Sequence, residues 1–479
     1  MRPALLALLS LTLAAQSPGE TVTTLKDQKA LAVTIYNANL ALVKDTREVR
    51  LPKGESRLAF QEVSAQIRPE TALLKNFTEP KVFFVIEQNF DFDLLSPQKL
   101  LEKYVGEKVT VVSMKPNPDG PGSKEMREEA TVLATNSGTV LRFADRIETS
   151  IPGRLVFPKV PANLRARPTL VLTLNSGADK AQRLELSYLT SGLAWKADYV
   201  ANLSSDEKTL DLNGWATLTN TSGASYPGAT LQLVAGDVNR VKERGNFELD
   251  GMAVVHVVAG ATAPQMKEEG LFEYHLYTLD RPTTIQENQT KQVALLAGYA
   301  VPVRKEFLLS GQGANYTASF QDTGEKLKIG VFVEFDNKEA SNLGKPMPKG
   351  IVRVYKKDSE GRAQFIGEDN VDHTPKNEVV RLKLGDAFDV TARRKQTDFR
   401  KVGGSGRYNY IYDAAFEVEL KNAKKEAVTV TVLEPIPGDW EMLSESHPHT
   451  KAASGTAKFM VPVPAEGSAT LTYRVRVKW

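Results

Sequence analysis

A chain of 479 residues, 41% hydrophobic and 25% charged, has a globular composition and is too long for one ordinary core, which predicts two to four domains of about 150 residues. Its 61 basic and 58 acidic residues are interleaved and leave a formal charge of +3, without the electrostatic footprint of a nucleic-acid binder. The absence of cysteine excludes disulfides, a thiol nucleophile, a thiolate metal site and lipidation at a cleavage-site cysteine.

The opening MRPALLALLSLTLAAQSPGE places Arg2 before an apolar run over residues 4–13 and then Ala14 and Ala15. This is the pattern of a secretory signal peptide over residues 1–15, with cleavage after Ala15. No later stretch approaches the roughly 20 apolar residues of a membrane helix. The expectation is an exported, non-lipidated protein, periplasmic or extracellular, of bacterial type.

A first β-rich region over residues 21–105 opens with VTIYNANLALVKDTREVRL. It closes on the best helix signal, SPQKLLEKYVG: Ser96 caps, Pro97 suits the first turn, Leu100, Leu101 and Tyr104 share a face, and Gly106 ends it. A small β insert follows over 107–155, with VTVVSM and ATVLAT as a hairpin around the polar KPNPDGPGSKEMREE. A central β-rich region covers 166–400 and is interrupted by an aperiodic long loop near 239–269. GGSG at 403–406 reads as a boundary, and residues 407–479 have the size of an immunoglobulin-like sandwich.

Period-two alternation is pervasive. In LTYRVRVKW, Leu471, Tyr473, Val475, Val477 and Trp479 share one face; Val428, Val430 and Val432 do so in AVTVTVL, and Val380, Leu382 and Leu384 in VVRLKL. One-sided burial of this kind belongs to antiparallel sheets. The predicted fold class is therefore mostly β: several antiparallel β-sandwich or small-barrel units, the C-terminal one immunoglobulin-like, with few short helices.

The densest candidate chemistry is GEDNVDHTP, residues 367–375. Glu368, Asp369, Asp372 and His373 are donors that could hold a divalent metal or serve in acid/base catalysis. Alternation opposes this, sending Glu368 and Asp372 to one face and Asp369 and His373 to the other. DHTP also has the makings of a rigid turn, so a structural or recognition role is the leading reading. ARRKQTDFRK, residues 392–401, offers Arg393, Arg394, Lys395 and Arg400 as a basic patch for acidic sugars or phosphate groups, against the plainer reading of a solvated strand edge. His447 and His449 in SHPHT lie in a polar loop without carboxylates of obvious reach, and His256 and His275 read as half-buried strand residues. No nucleophile elbow, H-E-x-x-H, P-loop or complete G-x-G-x-x-G occurs.

Several separated motifs in order, among them SYLTSGLAWKADYVANL, LDLNGWATLTNTSGASYPGATLQLVAGDVNRV, EYHLYTLDRPTTIQENQTKQVALL and the long run from NKEASNLG through GEDNVDHTP to ARRKQTDF, resemble the bacterial proteins grouped under domain of unknown function 4139, sometimes called mucoidy inhibitor A-like. The resemblance covers residues 187–479, and the opening VTIYNANLALVKDTREVRL is similar to their N-terminal part. It implies an exported β-rich protein and makes GEDNVDHTP a family hallmark, but supplies no activity, cofactor or catalytic set. The coiled coil of longer members is not carried over, since no heptads run through this chain. The expected function is a non-enzymatic binding or scaffolding component of the cell envelope without a cofactor, its partner an envelope protein or polysaccharide. The alternative is a metal-dependent hydrolase or metal-dependent binding protein using residues 368–373.

Overall fold

The computed structural model describes residues 19–37, 39–91, 93–116, 121–161, 164–239, 266–319 and 326–479. The expected signal peptide and His256, with residues 240–265 of the expected loop, lie outside them. Among the described residues the chain is mostly β, with one α-helix and several sheets, none closed into a barrel.

The chain divides into two compact units. The first comprises Met1–Trp195, Leu218–Val234 and Arg281–Lys291; the second comprises Lys196–Thr217, Ala235–Asp280 and Gln292–Trp479.

In the first unit, one sheet runs in the order Glu20–Thr23, Gly54–Gln61, Thr169–Ser176, Phe84–Asp91. Another contains Tyr226–Ala235, Gln28–Tyr36, Leu40–Leu51, Lys180–Thr190 and Leu73–Asn76 as successive neighbours. Leu58, Phe60, Leu172 and Leu174 of the former and Val33, Val43, Leu184 and Leu186 of the latter are buried, as their alternation requires. A third, small sheet adds short strands Val140–Arg142, Ile147–Glu148 and Arg154–Val156 to the expected hairpin, Lys108–Pro116 with Ser123–Ala134.

The predicted helix forms over Pro97–Lys103 for the predicted reasons. The Ser96 hydroxyl accepts the Lys99 amide at 3.1 Å, Pro97 opens the first turn, and Gly106 has φ +88°. Leu101 and Tyr104 pack on Val109, Val111, Val132 and Leu141, so the helix closes one face of the small sheet.

In the second unit, Ala363–Val371, Gly350–Lys357 and Leu193–Leu203 are consecutive neighbours, the last pair parallel. A larger assembly joins Gln289–Ser310, Leu327–Asp336, Val379–Ser405, Tyr408–Asn422, Gly467–Lys478 and Asp439–Glu445 in that order, while Val428–Pro435 and Thr456–Val463 face them from the Gln289–Ser310 side. Val430, Val432, Phe459, Val461, Phe416, Leu471, Val475 and Val477 form one core between these layers, with Phe307, Ile329 and Val390 contributed by earlier strands. Residues 403–406 form the end of the Val379–Ser405/Tyr408–Asn422 hairpin, where Gly403 and Gly406 take φ +116° and +60°.

Two details differ from the alternation reading. Pairing is parallel at Val428–Pro435 with Gln289–Ser310, as also at Glu20–Thr23 with Gly54–Gln61 and Tyr226–Ala235 with Gln28–Tyr36, and period two cannot distinguish this. Trp479 is 45% exposed and lies one residue beyond the last strand, which ends at Lys478.

Candidate functional site

GEDNVDHTP begins on the strand Ala363–Val371 and turns off it. At Gly367, φ is +151° and an added Cβ would come within 2.3 Å of the Leu384 carbonyl oxygen, so only glycine permits this approach of two backbones. Glu368 lies opposite Arg353, and its carboxylate is 3.2 Å from that guanidinium. Arg353 donates onward to Asp198 at 3.0 Å; Asp198 accepts from the Thr217 hydroxyl at 2.6 Å, and Thr217 accepts from the Gln292 amide at 3.0 Å. Glu368 is the outer end of a polar ladder crossing five strands.

Asp369 points to the other face, where its carboxylate accepts the Lys383 amide at 2.7 Å and the Asn370 amide at 2.8 Å. Asp372 is exposed, and its carbonyl accepts the Thr374 hydroxyl at 2.8 Å. Thr374 and Met347 then exchange both backbone hydrogen bonds, at 2.8 and 2.9 Å, locking the turn against residues 346–349.

His373 Nδ1 accepts the Lys349 amide at 3.3 Å, which leaves the proton of the neutral ring on Nε2. Nε2 is buried and without a hydrogen-bond partner. Burial pushes the His373 pKa below the ordinary imidazole value; the charges of Lys349 and His275 act in the same direction, and Asp237 and Asp372 oppose them. His275 itself is 2.7 Å from Glu268 across the hairpin Lys267–Leu271/Tyr274–Thr278, and Lys349 Nζ is 3.4 Å from Asp237. Asp237, Glu268, His275 and Lys349 are therefore the neighbourhood of His373. They come from three distant segments, and nothing local in the sequence signals their convergence.

The donors expected to hold a divalent metal do not fit one. Glu368 and Asp369 are turned to opposite faces and engaged with Arg353 and Lys383, and His373 has only Nε2 left. Among the described residues no group of three or more His, Asp or Glu side chains is arranged to hold a metal ion.

The lowered pKa of His373 carries a sign. The unfolded chain takes up the imidazole proton first, so the stability owed to the neutral ring is full above pH about 6.5. It is lost as pH falls from there towards the folded value. His373→Gln, with Lys349, Asp237, Asp372 and His275 unchanged, is expected to lose less melting temperature between pH 7.5 and 5.5 than the parent. Equal losses in the two chains would remove His373 as the cause.

The basic segment separates by strand parity up to Gln396, where a register shift turns the strand before Arg400. Arg393, Lys395 and Arg400 are exposed, whereas the Arg394 side chain is 7% exposed and paired with Glu434, which is fully buried. Arg394 is thus part of the core and not of a surface patch, because it shares the inward register of Val390 and Ala392. Arg400 is held by Asp398 at 3.0 Å, and Asp398 also binds Arg474 at 2.8 Å. In SHPHT the expected lack of a carboxylate is corrected: Glu445 sits 2.6 Å from His449 Nδ1, brought there by the turn between Asp439–Glu445 and His449–Ala453. His447 meets the Ser446 hydroxyl at 3.0 Å.

A family profile described as Domain of unknown function (DUF4139) matches residues 184–479. The chain belongs to this family. The DUF4139 region contains both GEDNVDHTP and the basic segment, as well as the whole C-terminal layered core. Among curated proteins no match is found. No helix of the described residues is long and apolar enough to cross a membrane.

Proposed function

We propose that this DUF4139 protein is an exported, non-enzymatic binding or scaffolding component of the bacterial cell envelope, which takes an extended segment of an envelope protein onto an open sheet edge. The observation that carries the reading is the strand Phe84–Asp91 of the first unit. It ends its sheet, with Thr169–Ser176 as its single strand neighbour in that sheet. Phe84 and Ile86 stand 57% and 53% exposed on it, and Val82 just before it 48%, so the side of the strand without a sheet neighbour lies beside apolar side chains. Both are what strand addition uses: main-chain hydrogen bonds for affinity and alternate side chains for selectivity. A register shift opposite Thr173/Leu174 interrupts the pairing and limits the acceptor to a short partner segment. The signal pattern of residues 1–15 supports export.

The test is photo-crosslinking in intact cells from a probe at Gln88, which is exposed on this strand. The expected result is a discrete envelope-protein adduct that disappears in Phe84→Lys/Ile86→Lys, with thermal stability unchanged. Absence of an adduct above that of a probe at exposed Lys357, or recovery of the protein in the cytoplasm with its N-terminus intact, overturns the reading.

A further inference from the structure

The C-terminal layered core of the second unit ends in a surface that edge recognition leaves unexplained. Lys401 lies opposite Tyr412, Tyr412 opposite Val477 and Val477 opposite Trp440, so one row of side chains crosses four strands on the face that buries Ala414 and Val475. Phe399 and Tyr412 have ring centroids 5.4 Å apart with planes 22° apart, and Tyr412 and Tyr410 are 6.3 Å apart with planes 4° apart. The three rings stack in a row, an aromatic strip whose outer member, Tyr410, is 48% exposed.

Cations stand over these rings. Lys401 Nζ is 5.0 Å from the Tyr410 centroid, and Lys451 Nζ is 4.4 Å from that of Trp440. Neither lysine has an acidic partner among the described residues, in contrast to Arg400 and Arg474 on nearby strand positions. An open groove of about 950 Å³ adjoins, lined among others by Arg407, Tyr408, Asp439, Trp440, Lys451 and Lys478. Within it Asp439 accepts from the Tyr408 hydroxyl at 2.6 Å and from Arg407 at 2.9 Å, and the Trp440 indole donates to the Ser454 carbonyl at 2.9 Å. The polar groups are held in place before any ligand arrives.

We propose that this groove and its aromatic strip bind an acidic polysaccharide. A pyranose ring can lay its C–H face against Tyr410, the exposed end of the stacked row that runs through Tyr412 to Phe399 against the core. Uronate carboxylates find charge-assisted partners in Lys401 and Lys451, and in Lys478 beside its 3.4 Å contact with Glu441, and ring hydroxyls can donate to Asp439. Three cations to one carboxylate in the groove lining complement a polyanion. A single-stranded DNA fits less well, because its phosphates and deoxyriboses offer few hydroxyls to donate to the fixed Asp439, whereas each pyranose carries several. This site lies in the second unit and the strand edge in the first, so either reading can fail alone.

Calorimetric titration of the whole exported chain with oligogalacturonate tests it, with neutral dextran and single-stranded DNA as competing probes. Oligogalacturonate is expected to bind, to weaken at high salt, and to lose about tenfold or more in affinity in Lys401→Glu and in Lys451→Glu. Tyr410→Ala, at an exposed ring outside the core, is expected to weaken binding without lowering the melting temperature. Lys357→Glu, an exposed charge on another strand, should leave affinity unchanged. No binding of oligogalacturonate, equal binding of dextran, indifference to both lysine reversals, or equally tight DNA binding through the same lysines overturns the proposal.

Discussion

Glu434→Ala is expected to destabilise the second unit by about 3–5 kcal/mol, the cost of removing one partner from a buried ion pair. Glu434 is fully buried and Arg394 nearly so, and Arg394 keeps one guanidinium nitrogen, Nε, without a partner even in the intact pair. The Tyr316 hydroxyl donates to Glu434 at 2.7 Å and also meets the Tyr473 hydroxyl at 2.8 Å. Phe416 packs edge-on against Tyr316 at 5.1 Å and stacks on Tyr473 at 5.3 Å. Burial pushes the Tyr473 hydroxyl up to about 12, so these phenols stay neutral donors across the working pH range. Alanine at 434 strands the guanidinium charge in an apolar layer and deprives Tyr316 of its acceptor. The double change Arg394→Met/Glu434→Leu removes both charges and keeps volume, and Tyr316 retains Tyr473; it is expected to cost less than either single change. Denaturant titration of the three variants measures this. A double variant at least as unstable as the costlier single change would mean that the pair is a net source of stability over an apolar replacement.

This pair also shows what the sequence could and could not disclose. Strand parity placed the inward faces correctly at Val428, Val430, Val432, Leu471, Tyr473, Val475 and Val477. The same parity carries Val390 and Ala392 to Arg394, but a charge inside a basic run reads as surface unless its acid is known. That acid is 40 residues away on a strand whose neighbour alternation does not reveal. GEDNVDHTP was legible as opposed faces followed by a turn, since these follow from period two and from Thr374 and Pro375. The ladder Glu368–Arg353–Asp198–Thr217–Gln292 was not, because it depends on strand order. Nor were the rings of Phe399, Tyr410 and Tyr412 legible as a strip: their alignment depends on the register of one long hairpin and its shifts near 396–405. The helix from Pro97 was readable in full, because its cap, first turn and stop are all local.

Arg47 is the corresponding residue of the first unit, and its replacement by alanine is expected to cost about 3–5 kcal/mol. Its side chain is 0% exposed and every group around it is fixed. Nε and one terminal nitrogen donate to Asp45 at 3.0 and 2.8 Å; the terminal nitrogens also reach the Thr23 carbonyl at 3.0 Å and the Gln61 carbonyl at 2.9 Å. The guanidinium carbon lies 3.8 Å from the Phe60 ring centroid, a desolvated cation–π contact. One side chain thus joins Leu40–Leu51 to Glu20–Thr23 and to Gly54–Gln61, strands of two sheets in the same unit. Asp45, held additionally by Gln28 at 2.9 Å, would remain buried with half its partners. Arg47→Lys keeps the charge but loses the planar fork that meets a carboxylate and two carbonyls at once, and is expected to cost about 2 kcal/mol. A local readout separates this tie from general loss of packing. The four-residue strand Glu20–Thr23 is anchored through the Thr23 carbonyl, so its amides should exchange with solvent faster in Arg47→Lys, while those of Lys108–Pro116 in the small sheet stay protected. Unchanged protection of Glu20–Thr23 in that variant would mean that pairing with Gly54–Gln61 and the contacts of Glu20 with Arg165 hold the strand, and that Arg47 is retained for Asp45.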